Sequence, residues 1–369
     1  MNSSLNVLIP DGNSTWALAV INCLSEINEY KLFVLSDKKR TATKFSRYTS
    51  YYKYYKRDTD TDWLHLIINE VKAQQISVII PIAENEIQFF IRHKHLLPAT
   101  VKIIPLPFLK SFETATNKHK LSLFLDEYDI PHPKFFYAKS ATTINESLSL
   151  LQFPILLKPL SEKGGDGIVK FDDRSALDNY LNTFSSSDEL FIQEYILGYD
   201  IDCSVLCLDG EVLTYTIQKG NLKGHSIFAP QLSFEFIEND EVIKVVKQLM
   251  KQLNWSGVAH IDMRYDSQAN NYKVIEVNAR FWGSLEGSKY AGVNFPDLAI
   301  QLTINNKIEA PKAVPIIYMR LKGVLKSIKY KPWFIFKTHF LLNHTEAKSF
   351  LKDPLPTFYK FREWFGRLF

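Results

Sequence analysis

Gly257-Val-Ala-His-Ile-Asp-Met-Arg-Tyr265, then Tyr272-Lys-Val-Ile-Glu-Val-Asn278 after a short polar break, is the stretch on which the reading of this chain turns. Apolar and polar residues alternate through both runs, which predicts two strands over 257–265 and 272–277, joined by a turn between Asp266 and Asn271. Strand side chains alternate faces, so Glu276 and Asn278 point the same way, and Asp262 can lie opposite them across the hairpin. Two carboxylates and an amide oxygen are the hard ligands that Mg²⁺ takes while phosphate oxygens and water complete its octahedron. Polar residues on a solvated sheet face offer the same pattern, so Glu-x-Asn alone does not decide the matter.

Upstream, Phe153 to Lys158 reads as a strand and Ser161-Glu-Lys-Gly-Gly-Asp-Gly167 as the loop after it, with a further strand over 168–171. Gly164, Gly165 and Gly167 let backbone N–H groups approach a phosphate closely. A strand follows, so this is not the Walker loop, which opens a helix. Lys158 ends the preceding strand and Lys118 begins an amphipathic helix over 118–128 that Ile130-Pro-His-Pro133 stops, so two ammonium groups are available to offset a triphosphate. Next come a helix over 175–183, a strand over 190–195, and a hairpin of 202–208 with 211–218 turned at Asp209-Gly210. A helix over 240–253 leads back to the opening pair.

The first hundred residues read differently. Strands at 6–10, 31–36, 77–82 and 101–104 alternate with helices at 16–27, 63–74 and 86–95, which implies a parallel sheet covered on both faces. Asp11-Gly-Asn-Ser14 sits at the carboxyl end of the first strand, where open α/β sheets bind ligands, but lacks the three glycines of a dinucleotide fingerprint. Ser46-Arg-Tyr-Thr-Ser-Tyr-Tyr-Lys-Tyr-Tyr-Lys56 is expected to be a surface loop whose rings cover the sheet edge rather than a stacking platform.

At 369 residues, 46% of them hydrophobic, the chain is long enough for two or three packed lobes and apolar enough to fill them. Cys23, Cys203 and Cys207 form no CxxC pair, and their odd number fits a reducing compartment. The start shows no basic then apolar leader and no run reaches the ~18 apolar residues of a membrane span, so a cytoplasmic protein is expected. Of the net charge of +4, residues 311–369 hold 12 Lys and Arg against 3 Asp and Glu. That leaves the first 310 at about −5. Lys322, Lys326, Lys329, Lys331 and Lys337 stand beside Trp333, Phe334 and Phe336, which suits peripheral contact with an anionic membrane. The plainer expectation is a helical element with its rings against the body and its lysines in solvent.

In order, Lys118, Lys158-Pro159, Gly164-Gly165-Asp166-Gly167, Gln193-Glu194-Tyr195-Ile196 with Gly198, Asp262, and Glu276-Val-Asn278-Ala-Arg280 resemble the ATP-grasp superfamily from about residue 116 to 302. Asn278-Ala-Arg-Phe-Trp-Gly-Ser284 looks most like its carboxylate–amine ligases. The resemblance implies that Lys118 and Lys158 contact ATP phosphates beneath a glycine lid. Gln193 to Ile196 would form the adenine-binding hinge, with Glu194 and Asp200 near the ribose. Asp262, Glu276 and Asn278 would hold Mg²⁺, with Mn²⁺ as the alternative ion. Arg280, on the same face if the strand persists, would stabilise the transferring phosphoryl group alongside Lys158. The chain departs from the pattern at Glu162, Lys163 and Gly165 in the loop, at Asp200 where relatives have glutamate, and at His260 where several have arginine. A lone histidine is ordinarily a packed residue.

The expected fold is α/β: a Rossmann-like pre-ATP-grasp lobe (1–110), then a two-lobed ATP-grasp α+β fold with a lid-bearing small lobe (111–192) and a metal-binding large lobe (193–310). A basic, helical C-terminal extension (311–369) completes it. The implied activity is an ATP-dependent carboxylate–amine or carboxylate–thiol ligase working through an acyl phosphate, with small-molecule acid and amine substrates and no nucleic acid. A silent nucleotide-binding scaffold and an ATP-grasp kinase are the alternatives. Asp353-Pro-Leu-Pro356 resembles a tail of ligases associated with bacterial surface polysaccharides, which points toward an amino-acid or sugar-linked substrate.

Overall fold

The computed structural model describes residues 4–138, 151–159, 167–183, 190–224 and 228–365. Residues 160–166, which include Gly164, Gly165 and all of the expected glycine lid except Gly167, lie outside the described residues.

Strands β1 (Leu5–Ile9), β2 (Tyr30–Ser36), β3 (Thr49–Tyr54), β4 (Val78–Ile79) and β5 (Lys102–Ile103) form a parallel sheet ordered β3-β2-β1-β4-β5. Helices α1 (Ala17–Leu24), α2 (Asp60–Ala73) and α3 (Glu84–His93) connect them. In β1, Val7 and Ile9 join a core with α1, while Leu8 joins one with Trp63, Ile67 and Phe90 of α2 and α3. Both faces are buried, as βαβ crossovers require. The tyrosine-rich stretch is not a loop: Thr49–Tyr54 is the edge strand itself, its half-exposed tyrosines suiting a strand with one free side.

Helices α4 (Leu109–Thr116) and α5 (Lys118–Glu127) lead to β6 (Phe135–Ala138), which joins β7 (Ile155–Pro159), β8 (Val169–Phe171) and β9 (Leu190–Glu194) in an antiparallel sheet ordered β6-β9-β7-β8. Helix α6 (Arg174–Thr183) covers one face, where Ile155, Leu157, Phe171, Leu177 and Ile192 pack.

The third sheet has six antiparallel strands ordered β14-β13-β10-β11-β12-β15: β10 (Gly198–Leu208), β11 (Glu211–Leu222), β12 (Ser233–Ile237), β13 (Gly257–Asp266), β14 (Asn271–Asn278) and β15 (Ile316–Met319). Asp209 and Gly210 turn the β10–β11 hairpin with φ of 48° and 84°, the double left-handed geometry that Asp-Gly favours. Helix α7 (Asp240–Gln252) lays Val242, Val246, Leu249 and Met250 on Ile201, Cys203, Val205, Ile261 and Met263. All three cysteines are free and buried. The opposite face, carrying Asp200, Asp202, Ser204, His260 and Asp262, is polar.

Helices α8 (Leu285–Tyr290) and α9 (Phe295–Asn305) pack against α1 and so tie this sheet to the parallel one. Beyond β15 come α10 (Leu321–Tyr330), α11 (Thr338–Asn343), α12 (Ala347–Lys352) and α13 (Leu355–Phe365). This region is helical, but the expected inward packing of its rings fails at Trp333 and Phe336, which are 63% and 80% exposed.

Candidate active site

Register brings the predicted ligands together. Asp262 of β13 pairs with Glu276 of β14, and His260 with Asn278. The ladder slips between Asp262 and Met263, which pairs with Val274, so Ile275 is an extra residue. Tyr272 and Val274 before the slip, and Val277 after it, face the core. The bulge therefore reverses the strand's parity and turns Glu276 and Asn278 onto the polar face that Asp262 occupies.

Strand β10 adds a third carboxylate there, because Asp202 pairs with Asp262 and Ser204 with His260. His260 Nδ1 lies 2.8 Å from Ser204 Oγ, and its Nε2 lies 3.3 Å from Asp262 Oδ1 and 3.9 Å from Asp202 Oδ2. The ring stacks on Trp282 at 5.5 Å. Burial, with Arg280 nearby, lowers the imidazole to about 3, so it is neutral at physiological pH. The Asp262 carboxyl is pushed well above the usual range by burial and then by Asp202 and Glu276. Burial raises Asp202 to about 7, against the amide of Gln218, which donates to it at 3.2 Å.

Lys158 projects from the face of the small sheet opposite Ile155 and Leu157, is buried, and donates to Gln193 Oε1 at 2.6 Å. Burial lowers its ammonium to about 8, while Glu276 and Asp262 oppose that fall and Lys118 adds to it. The two lysines and the two carboxylates thus share one electrostatic neighbourhood.

Arg280 reaches the site by a different route from the one expected. Strand β14 ends at Asn278, and the chain turns with the Arg280 N–H bonded to Asn278 O at 2.9 Å. The guanidinium nevertheless folds back to donate to Asn278 Oδ1, lies 3.8 Å from the Trp16 ring centroid, and places Nε 3.7 Å from Glu84. Trp16 follows the β1 loop and Glu84 opens α3, so Arg280 joins the end of β14 to the carboxyl end of the parallel sheet. Burial lowers its pKa.

In the segment expected to form the hinge, Gln193 and Ile196 are buried, and Glu194 accepts from the Gln152 N–H at 3.1 Å. Arg264 holds the segment to the large sheet, donating to Ile196 O at 2.6 Å, to the Tyr195 hydroxyl at 3.1 Å and to Asp200. Asp200 also accepts from Gln231 at 3.4 Å. Gly167, the described lid glycine, has φ of 72°. Sequence reasoning passed over Asp202, Arg264, Trp16 and Glu84. Asp202 alternates with Ile201 and Cys203 in a strand already recognised and was legible in principle; the other three depend on long-range packing.

The family model described as "ATP-grasp in the biosynthetic pathway with Ter operon" matches residues 186–322. The carbamoyl phosphate synthase large chain of Clostridium acetobutylicum is 28% identical over 220 residues, 57% of this chain and 20% of that protein. The D-aspartate ligase of Enterococcus faecium is 24% identical over 196 residues, 46% of this chain and 45% of that one. The chain thus spans less than half the length of these curated relatives. Among solved structures, the ADP complex of N5-carboxyaminoimidazole synthetase from Staphylococcus aureus superposes with a TM-score of 0.70 at 15% identity, over 90% of this chain and 87% of that one. The L-amino acid ligase of Bacillus licheniformis gives 0.59 at 17%, over 85% and 75%. In fold, and in sequence over the strands that carry the acidic cluster, the chain matches the ATP-grasp superfamily.

Proposed function

We propose that this chain is an ATP-dependent carboxylate–amine ligase that activates its acid as an acyl phosphate and releases ADP and phosphate. The observation that carries the reading is the convergence of Asp262, Glu276 and Asn278 on one face, with the Lys158 ammonium electrostatically coupled to both carboxylates. Three carboxylates face one another beside a neutral imidazole, a charge excess that a divalent cation would relieve, so the donor set fits Mg²⁺ or Mn²⁺. Asp262, Glu276 and Asn278 would hold it, and when bound it would withdraw charge from phosphate oxygens.

The protein's own groups do the rest. Lys158 and Lys118 place positive charge on the polyphosphate, and Lys158 is fixed by Gln193 rather than left mobile. Arg280, immobilised between Trp16, Glu84 and Asn278, presents a preorganised cation where the transferring phosphoryl group and the new acyl phosphate carry negative charge. Trp16 and Glu84 lie at the carboxyl end of the parallel sheet, which suits the acid and amine substrates. An amino-acid or sugar-linked acid would meet the Arg280 guanidinium there.

An ADP-release screen across acids and amines, with mass spectrometry of condensed products, tests the proposal. Release that needs both an acid and an amine is expected. Release with phosphorylated product and no amine requirement would instead identify a kinase.

A further inference from the structure

Helix α10 docks through Gly323 and Val324, which are buried. A Cβ at Gly323 would stand 2.7 Å from Leu232 O, so this contact is backbone-close and fixes which side of the helix faces inward. Among the described residues the outward side has no such partner. Leu325 is 49% exposed, Tyr330 69%, Trp333 63%, Ile335 53% and Phe336 80%, all within twelve residues. Soluble surfaces rarely expose so many large apolar side chains in one short segment without a use.

Charge identifies the occupant. From Leu321 to Lys337 there are five lysines and no acidic residue. Trp333-Phe-Ile-Phe336 is bracketed by Lys331 and Lys337. Among the described residues none of the five enters an ion pair, and Lys326 is held only by backbone carbonyls of residues 223 and 224. A second copy of the chain docking symmetrically on this patch would set lysines against lysines with nothing to neutralise them. A soluble acidic polymer would satisfy the lysines but leave the Trp333 and Phe336 rings in water. An anionic lipid surface satisfies both, with phosphates at the level of the ammonium groups and rings in the headgroup–acyl boundary. No helix among the described residues is long and apolar enough to cross a membrane, so the contact is peripheral.

We infer that residues 321–337 form a docking surface for anionic phospholipid, in which Trp333, Ile335 and Phe336 insert and Lys322, Lys329, Lys331 and Lys337 engage headgroups. The inference stands apart from the ligase reading, since none of these residues belongs to the active site.

The test is flotation of the full chain with phosphatidylcholine vesicles, with and without phosphatidylglycerol. Association only with phosphatidylglycerol, weakening as salt is added, is expected. Trp333→Ser with Phe336→Ser, and separately Lys329→Glu with Lys331→Glu, should each weaken it at least about tenfold, with the circular dichroism spectrum and thermal midpoint unchanged. Brominated acyl chains should quench part of the tryptophan fluorescence, and Trp333→Phe should remove that part. No association, equal association with neutral vesicles, or indifference to both double variants would overturn the proposal. So would a dimer, seen by light scattering, that Trp333→Ser with Phe336→Ser dissolves, since a second copy would then cover the face.

Discussion

At the scale of single residues, the acidic cluster holds more charge than the fold neutralises, and that predicts opposite effects on stability and function. Asp262→Asn removes one of three facing carboxylates whose mutual repulsion helps to raise the Asp262 pKa. In metal-free buffer its thermal midpoint should equal or exceed that of the wild type by a few degrees, while ADP formation falls at least about a hundredfold. A scanning-calorimetry trace paired with a coupled ADP assay checks both; a variant that loses stability and keeps turnover contradicts the assignment. Arg280→Lys keeps the charge but loses the planar group that lies over Trp16 and reaches Asn278 together. It should lower kcat by about ten- to a hundredfold with KM for ATP little changed, and steady-state kinetics with saturating acid and amine would show the split.

At the scale of elements, the site depends on backbone devices more than on strand propensity. Gly198 opens β10 with φ of 156°, and a Cβ there would stand 1.9 Å from Tyr265 O on β13. Gly198→Ala should cost about 2 kcal/mol or more in urea unfolding and disturb the neighbouring Asp200–Arg264 contact; an unchanged unfolding midpoint would show that the strands can part without loss. The same scale explains what the sequence disclosed. The hairpin at Asp209-Gly210, the pair carrying Asp262 and Glu276, and the alternation of the first hundred residues were readable, because local periodicity and turn chemistry agree with the final fold. The Tyr51–Tyr52 region was not, since an edge strand rich in tyrosine and lysine reads as a polar loop. Strands β12 and β15 were missed too: β15 is a strand only through its pairing with β12 some eighty residues earlier, and β12 lies between it and β11. Nor does alternation reveal the Ile275 bulge, although it decides which way Glu276 points. Of the site, the residues proposed to contact phosphate or metal were legible as an ordered series. The groups that hold them, Arg264, Trp16 and Glu84, emerge only when the sheets meet.

At the scale of the whole molecule, the C-terminal region is fastened across the parallel lobe. Asp353 is buried and accepts from Ser46 Oγ at 2.5 Å and from the Arg47 N–H at 3.3 Å, which gives the Asp353-Pro-Leu-Pro356 tail an anchoring role. Glu26 of the α1–β2 connection pairs with Lys352 at 2.7 Å and Lys289 at 3.1 Å, and these partners lower its carboxyl to about 2. A carboxylate whose folded pKa is depressed stabilises fully above its unfolded value and loses that contribution as pH falls through the folded one. The stability difference between wild type and Glu26→Gln should therefore be present above pH 4.5 and vanish toward about 2. Urea unfolding of both proteins across that range measures it, and a difference that grows on acidification would refute the pairing. On the proposed reading, the small and large sheets grip one metal–nucleotide complex between Lys158 and the Asp262–Glu276–Asn278 set. Calorimetric titration of ADP with and without Mg²⁺, on wild type and Glu276→Gln, tests it most directly. Mg²⁺-enhanced binding is expected in the wild type, with none of that enhancement in a variant that is still folded; identical Mg²⁺-dependent binding by both proteins would refute the grip.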